Sequence, residues 1–379
     1  MAHCSTVLSQ IVRIFPRHEF QSLANKYHVG QKFRSFSRWT QFVALLTAQL
    51  TGRDSLRDIV ENLSVQAGKI YHLGIKPFSR ATLSRANEQQ PHQMYEALFQ
   101  RLLVRCQDLA PRNRRFKFKD SAKLYLLDAT MIDLTLSLFP WAKYRKSKGA
   151  AKLHIALDAD GYLPAFVDLS EGKEHEINMA RQLELPKDSY VVFDRGYTDY
   201  AWYQELTDNG IRFVTRLKSN AVTTPGAKRR GRKSPGVLLD QEVALNGITG
   251  TYRKVRYLDE DSGVAYEFLT NALDIPAATV ADLYKERWQI ELFFKWIKQN
   301  LHIKSFLGTS RNAVMTQIWV VLCTYLLLAF HKFQSKLGQS MQQILRLMQL
   351  NLFERRDFLE LLAPPKPKLS LYDSQLSLI

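Results

Sequence analysis

The spacing of apolar positions changes character twice along the chain. Through residues 1–112 it follows a helical period. Ser37 precedes RWTQFVALLTAQL, where Trp39, Phe42, Leu45, Leu46 and Leu50 recur at three and four. Gly52 stops that helix, and Asp54 and Ser55 offer caps for the next, SLRDIVENL. A turn at residues 74–77 leads to SRATLSRAN, opened by Ser79, and Pro91 begins a helix that runs through Leu109. The short helix carrying Arg80, Ser84, Arg85 and Asn87 suits a DNA-reading helix-turn-helix and suits an ordinary helical bundle equally well.

At residues 111–119, PRNRRFKFK, the period switches from helix to strand. KLYLLDATMIDL is a run of strand formers interrupted by Asp128, and KLHIALDADGYLPAFVDLS reads as two strands around the turn at 158–161. HEINMARQLEL reads as a helix, SYVVFDRGY as a short buried strand ending at Asp194, DYAWYQELTDNG as a helix closed by Gly210, and RFVTRLK as a strand. Strands followed by alternating helices and strands predict an α/β fold, a mixed sheet with a central parallel pair. From about 219 to 277 three further strand runs predict an antiparallel, β-rich insertion after the basic loop KRRGRK. Helices return at 284–298, 313–332 and 338–362, before a Pro-rich end. Three parts follow: 1–112, helical; 113–332, mixed, with the insertion; and 333–379, a helical segment and tail.

Residues 284–298, YKERWQIELFFKWIK, contain neither Pro nor Gly and predict one helix. At about 100° per residue, Ile290, Phe294, Ile297 and Leu301 form a buried side. Tyr284, Arg287, Glu291 and Lys298 fall beside them within an arc of roughly 60°. An acid between an Arg and a Lys reads either as a surface ion pair or as a metal ligand flanked by phosphate-binding groups.

Composition narrows the choice. The 379-residue chain has a formal net charge of +17 and a pI near 9.7, which favours a polyanionic partner, nucleic acid before membrane. Three scattered cysteines, Cys4, Cys106 and Cys323, argue against a disulfide framework or a zinc site and suit a reducing cytoplasm. No signal-peptide pattern opens the chain, and the longest apolar run, 318–330, reads as a buried helix.

Two aspartates stand where apolar residues are expected. Asp128 breaks a buried strand, and Asp194 ends one. A buried carboxylate is costly unless paired or bound to a cation. If the two strands are neighbours, both acids lie at the edge where α/β sheets form sites. Glu291 would complete an all-oxygen set suited to magnesium or manganese. Asp133, five positions after Asp128, should face the other way. Asp158 and Asp160 are turn formers, and Asp168, Glu171, Glu174 and His175 are candidates for supporting roles.

The spacing Y-x2-R-x3-E-x6-K, filled by Tyr284, Arg287, Glu291 and Lys298, resembles the signature of the insertion-sequence-four family of bacterial DDE transposases. LLDATMIDL and VVFDRGY resemble that family's two Asp strands, and the likeness covers roughly residues 120–330. The resemblance implies an RNase H-like catalytic core with Asp128, Asp194 and Glu291 as catalytic and metal-holding residues for two Mg2+ or Mn2+ ions. It implies DNA contacts by Tyr284, Arg287 and Lys298, end binding by the helical N-terminal part, and a hairpin at the cleaved end. Double-stranded DNA, both transposon ends and target, is then the partner. The resemblance further implies a homodimer in the DNA complex, no membrane, and action in the bacterial cytoplasm at the nucleoid. WAKYRKSKGAAK, with Trp141, Lys143 and Arg145, adds a candidate DNA-contacting stretch beside the expected site, and KRRGRK a phosphate-binding loop. A non-catalytic DNA-binding protein on the same scaffold, or an RNase H-fold nuclease, remains compatible with these residues.

Overall fold

The computed structural model describes residues 5–363, apart from 32–33, 114, 117, 119–121, 135–137, 146–147, 173, 230–233, 302, 304 and 337; the side chains of 143–145, 148–149 and 171 also lie outside the described residues. Seven helices open the chain: α1 (Val7–Val12), α2 (Arg17–Lys26), α3 (Arg38–Thr51), α4 (Leu56–Val65), α5 (Ala67–Ile70), α6 (Arg80–Gln89) and α7 (Gln93–Leu109). Local chemistry sets their ends. The hydroxyls of Ser37, Ser55 and Ser79 each accept the backbone N–H three residues on, capping α3, α4 and α6. Gly52 closes α3 with φ 70°, a left-handed conformation open to glycine at little cost.

Ten strands then form a single sheet: β1 (Leu124–Leu134), β2 (Lys143–Arg145), β3 (Lys148–Asp158), β4 (Leu163–Glu171), β5 (Tyr190–Phe193), β6 (Arg212–Arg216), β7 (Thr223–Lys228), β8 (Val237–Leu245), β9 (Tyr252–Asp259) and β10 (Val264–Thr270). β4 and the short β2 both pair with β3, and the order continues β3-β1-β5-β6-β10-β9-β8-β7. β1 is antiparallel to β3 and parallel to β5, and β5 is parallel to β6, so the central parallel pairing read from the sequence is present. The 219–277 insertion is antiparallel, as expected, but it is no separate sheet: β10 pairs with β6 and extends the central one. Its outermost strand, β7, holds Pro225 and Gly226, residues tolerated at a sheet edge.

Helices cover both faces. α8 (Glu176–Ala180) and α9 (Tyr200–Asp208) lie over one, where Phe193 packs among Tyr197, Trp202, Tyr203 and Phe213. The stretch expected as a longer helix from 175 stops at Ala180, because Pro186 and the turn before it hold the chain extended. Over the other face lie α10 (Ala277–Glu286) and α11 (Trp288–Asn300), while α12 (Arg311–Ser335), α13 (Met341–Asn351) and α14 (Phe358–Leu362) pack with the N-terminal helices. The stretch 338–362 thus forms two helices rather than one. By length and composition α12 would cross a membrane, but 94% of its apolar window is buried inside the protein.

Helices α1–α7 share one apolar core with this second face. Val7 and Leu8 donate backbone N–H groups to the carbonyls of Glu354 and Leu352, at 3.0 and 2.9 Å. α12 runs through the middle of that core against α3 and α7.

Candidate active site

The register of β1 and β5 builds the site. Leu124–Leu127 pair in parallel with Tyr190–Phe193, residue for residue. Asp128 and Asp194 are the next residue on each strand, so they stand side by side at the carboxyl edge of the sheet. Their strands are separated by about 4.8 Å, the ordinary spacing. Alternation turns both toward the face of Leu126 and Val192, which α10 and α11 cover. Asp133 is exposed and turned the other way, as its odd spacing requires.

The row read from the sequence meets these aspartates. The Tyr284 hydroxyl donates to Asp194 Oδ1 at 3.2 Å. Arg287 donates Nη1 to Asp128 Oδ2 at 2.9 Å and Nη2 to Glu291 Oε1 at 2.5 Å. Lys298 Nζ donates to Thr130 Oγ1 and the Met131 carbonyl at 2.6 and 2.9 Å. Ile290, Phe294, Ile297 and Leu301 are all buried, as the periodicity predicts. One expectation needs correcting: 284–298 is not one continuous helix. It breaks at Arg287, where the backbone tightens to bonds three residues apart, Arg287 N–H to the Tyr284 carbonyl and Ile290 N–H to the Arg287 carbonyl. A break without Pro or Gly reflects tertiary forces, since the side chains at 286 and 287 are both held by distant partners.

Charge is concentrated here. Burial pushes the Asp128 carboxyl up to about 6; the Arg287 guanidinium and the Ala129 N–H pull it down, while Glu291 and Asp194 push it up again. Burial works against the charge on Arg287, but Asp128, Tyr284 and Glu291 outweigh it and hold its pKa above the usual value. The Tyr284 phenol rises to about 12, chiefly through burial, with Arg287 lowering it and Asp194 raising it. A cleft of about 530 Å3 opens beside Asp194, with Arg195, Arg216, Tyr266 and Trp288 on its walls.

Three carboxylates from adjoining elements are, in kind, the donors a hard divalent cation takes. Among the described residues no three His, Cys, Asp or Glu groups stand within reach of one ion. Here a guanidinium lies between two of the acids. The carboxylates are of the kind magnesium or manganese takes, while in this arrangement Arg287 supplies the positive charge between Asp128 and Glu291.

Other expected contacts fare differently. Trp141 is half-buried and donates its indole N–H to the Thr309 carbonyl at 2.9 Å, so it is engaged within the fold. The side chains of Lys143 and Arg145, on β2, lie outside the described residues. Within KRRGRK, Arg229 turns inward to Glu242 and the Leu273 carbonyl, and 230–233 lie outside the described residues. Asn87 is buried and takes the Gln41 amide at 2.8 Å, so it is not available to read bases, whereas Arg80, Ser84 and Arg85 are exposed.

Sequence reasoning missed three neighbours. Thr130 receives Lys298. The Tyr197 hydroxyl is buried with no hydrogen-bond partner among the described residues, and Asp128, Glu176 and Asp194 add to burial in raising its pKa. Glu176, paired with Lys152 at 3.3 Å, presses against Gly196, where a Cβ would lie 2.7 Å from its Oε2. Only the DRGY run hinted at these.

Comparison with known proteins now decides the family. A family model described as the transposase DDE domain matches residues 119–327, more than half the chain. The chain belongs to the transposase DDE-domain family. It is a DDE-type phosphoryl-transfer enzyme acting on DNA, similar to transposases of bacterial insertion sequences. A chain of Sinorhizobium fredii named as transposase y4zB is 33% identical over 67% of this chain and 73% of that one. A chain named as the transposase for insertion sequence element IS5377 of Geobacillus stearothermophilus is 28% identical over 71% of each. A second family model, described as a domain of unknown function, matches residues 3–76 of the transposase. Among solved structures, a piggyBac transposase synaptic complex with hairpin DNA aligns at 13% identity and a TM-score of 0.47, over 97% of this chain and 80% of that one.

Proposed function

We propose that the transposase binds the terminal inverted repeats of its insertion sequence, cleaves DNA at their boundary and joins the freed ends to a target. Asp128, Asp194 and Glu291 are its catalytic acids. The observation that carries this reading is the adjacency of Asp128 and Asp194 one step past the parallel ladder, with Glu291 joined to Asp128 through Arg287. The strand order β4-β3-β1-β5-β6, antiparallel then parallel, supports an RNase H-like core.

Cleaving a phosphodiester requires an activated oxygen nucleophile and relief of charge on the phosphate. Mg2+ or Mn2+, held as two ions by the three acids, would supply both when bound. The chain's own residues supply the rest. Raised toward neutrality, Asp128 marks a dry position where charged groups interact strongly. Arg287 presents a planar fork that matches a phosphate as well as a carboxylate. Lys298, anchored on β1, adds a second cation along the same line. Tyr284 orients Asp194 and lies at the cleft, where it can meet the cleaved end. A hairpin at that end, dimerisation on two ends and action in the bacterial cytoplasm belong to the same reading. Helices within 1–112 make the end-binding part, 113–332 the catalytic part, and 333–379 a C-terminal helical segment and tail.

The test is strand cleavage by purified wild type and Glu291→Gln. Substrates are duplexes bearing the candidate terminal repeats that flank its coding sequence, with scrambled duplexes as controls, in Mg2+ or Mn2+. Wild type should cut at the repeat boundary, while Glu291→Gln binds the ends and leaves them whole. Normal cutting by Glu291→Gln would refute the assignment.

A further inference from the structure

Glu286 precedes Arg287 but takes no part in the row that faces the sheet. It is the last residue of α10, on the other side of the break from Glu291. Its side chain is 2% exposed, and both oxygens are engaged. Oε1 accepts the Tyr162 hydroxyl at 2.5 Å and the Asn113 amide at 3.5 Å, and Oε2 accepts Arg115 Nη1 at 2.6 Å. Nothing local recommends an acid here. It ends α10, where the helix dipole disfavours negative charge, and burial disfavours it further. Its place is therefore set by the tertiary partners.

Those partners are fixed in turn. Tyr162 holds a left-handed backbone (φ 53°) beside Gly161, where a Cβ would lie 2.8 Å from Phe333 Cζ of α12. The Tyr162 carbonyl accepts the Tyr325 hydroxyl of α12 at 3.0 Å. The Asn113 N–H donates to Asp160 Oδ1 at 2.7 Å, so the segment leaving α7 is tied to the same turn. One buried carboxylate thus joins the end of α10 to the β3–β4 turn, and through it to α12 and the segment after α7. It does so next to the break from which Arg287 reaches the acids.

We infer that Glu286 is a positioning residue for phosphoryl transfer: it clamps the α10–α11 junction and so sets the rotation at which Arg287 and Glu291 meet Asp128. The inference rests on the reading of Glu291 as a catalytic acid. A displacement of about 1 Å in a reacting group costs on the order of 100-fold in rate, so small slack at the junction has a large readout. Glu286→Gln keeps an acceptor for Tyr162 but faces Arg115 with an amide. Tyr162→Phe removes one hydroxyl and leaves the ion pair.

The test uses the full chain and end duplexes with Mg2+ or Mn2+ titrated, measuring single-turnover cleavage, end affinity and thermal stability together. Wild type and Glu291→Gln are the references. Leu206→Ala, on α9 beneath the opposite face of the sheet, reports what lost stability alone does. Glu286→Gln and Tyr162→Phe should each slow cleavage by about 10- to 100-fold with end affinity within about twofold of wild type. The double variant should be slower than either single one, because one loosens the Arg115 pair and the other removes the Tyr162 hydroxyl contact to the same group. Leu206→Ala should cut as wild type below its melting temperature. Should Glu286→Gln fail to fold, Tyr162→Phe decides alone. Wild-type cleavage rates in the folded variants, or rates and affinities that fall together with stability, would overturn the inference. Normal cutting by Glu291→Gln would instead remove the reading beneath it.

Discussion

Asp128 offers a measurable trade between stability and chemistry. Its carboxyl is raised from 3.8 to about 6, mainly by burial. Holding it ionised at pH 7.5 in the native state therefore costs about 3 kcal/mol, at 1.36 kcal/mol per unit. Asp128→Asn removes the charge and keeps the shape. It forfeits one of the two hydrogen bonds the carboxylate accepts, from Arg287 or the Ala129 N–H, worth about 1 kcal/mol. The net gain is about 2 kcal/mol. For 379 residues, with an unfolding entropy near 2.1 cal/mol/K per residue, that raises Tm by about 2–3 °C. The sign of the pH dependence follows from the raised pKa. The native state binds this proton more tightly than the unfolded chain, so its stabilisation is complete below about pH 4 and lost as pH rises through about 6. The gap between wild type and Asp128→Asn should thus open between pH 4 and 6 and stay flat above. Calorimetry in EDTA from pH 4.5 to 8 measures it, with cleavage by the variant abolished in Mg2+. A variant no more stable than wild type at pH 7.5, or a gap independent of pH, would show that Arg287 more than compensates the burial of Asp128.

Three further outcomes follow from named contacts. Lys298→Met, which loses the bonds to Thr130 and Met131, should reduce the salt dependence of end binding by about one phosphate contact and slow cleavage; an unchanged salt slope would place Lys298 outside the DNA path. Asp240→Ala strips the paired acid from Arg253, which is 2% exposed and held at 2.7 Å by both oxygens, and should cost about 3–5 kcal/mol in a urea titration. Arg253 also donates to the Ile275 carbonyl just ahead of α10, so the same variant should lose cleavage before it loses fold. Phe193→Ala, central to the aromatic cluster beneath the β5 edge, should lose about 3–5 kcal/mol, a smaller loss indicating that Trp202 and Tyr203 collapse into the space.

Much of this architecture could be read before any coordinates. Serine caps, the Gly52 stop and the buried stripe of α11 are local and follow from short-range chemistry. The row of Tyr284, Arg287, Glu291 and Lys298 was legible for the same reason, since helical spacing is carried in sequence. What failed was non-local. The break at Arg287 has no Pro or Gly to announce it; partners more than a hundred residues away hold the side chains on both sides. Glu286 passed as one more charge on an amphipathic helix, because its burial depends on Tyr162 and Arg115. The inward turns of Trp141 and Arg229 were hidden likewise: a basic or aromatic residue in a loop looks free until its acceptor is known. The joining of β10 to β6, across the whole insertion, is a pairing that no local pattern encodes.

The shared core of the first and last helices has a consequence for synthesis. Ribosomes make α1–α7 early, but the helix that fills their common face, α12, ends roughly 220 residues later. At about 5–20 residues per second that is roughly 10–45 s during which an apolar surface waits for its cover. An exposed apolar surface of this kind is prone to aggregate during that interval. A product ended before α12 by a frameshift or stop codon keeps the apolar face of its first helices uncovered. Folding of the first helices is thus tied to completion of the chain through α12.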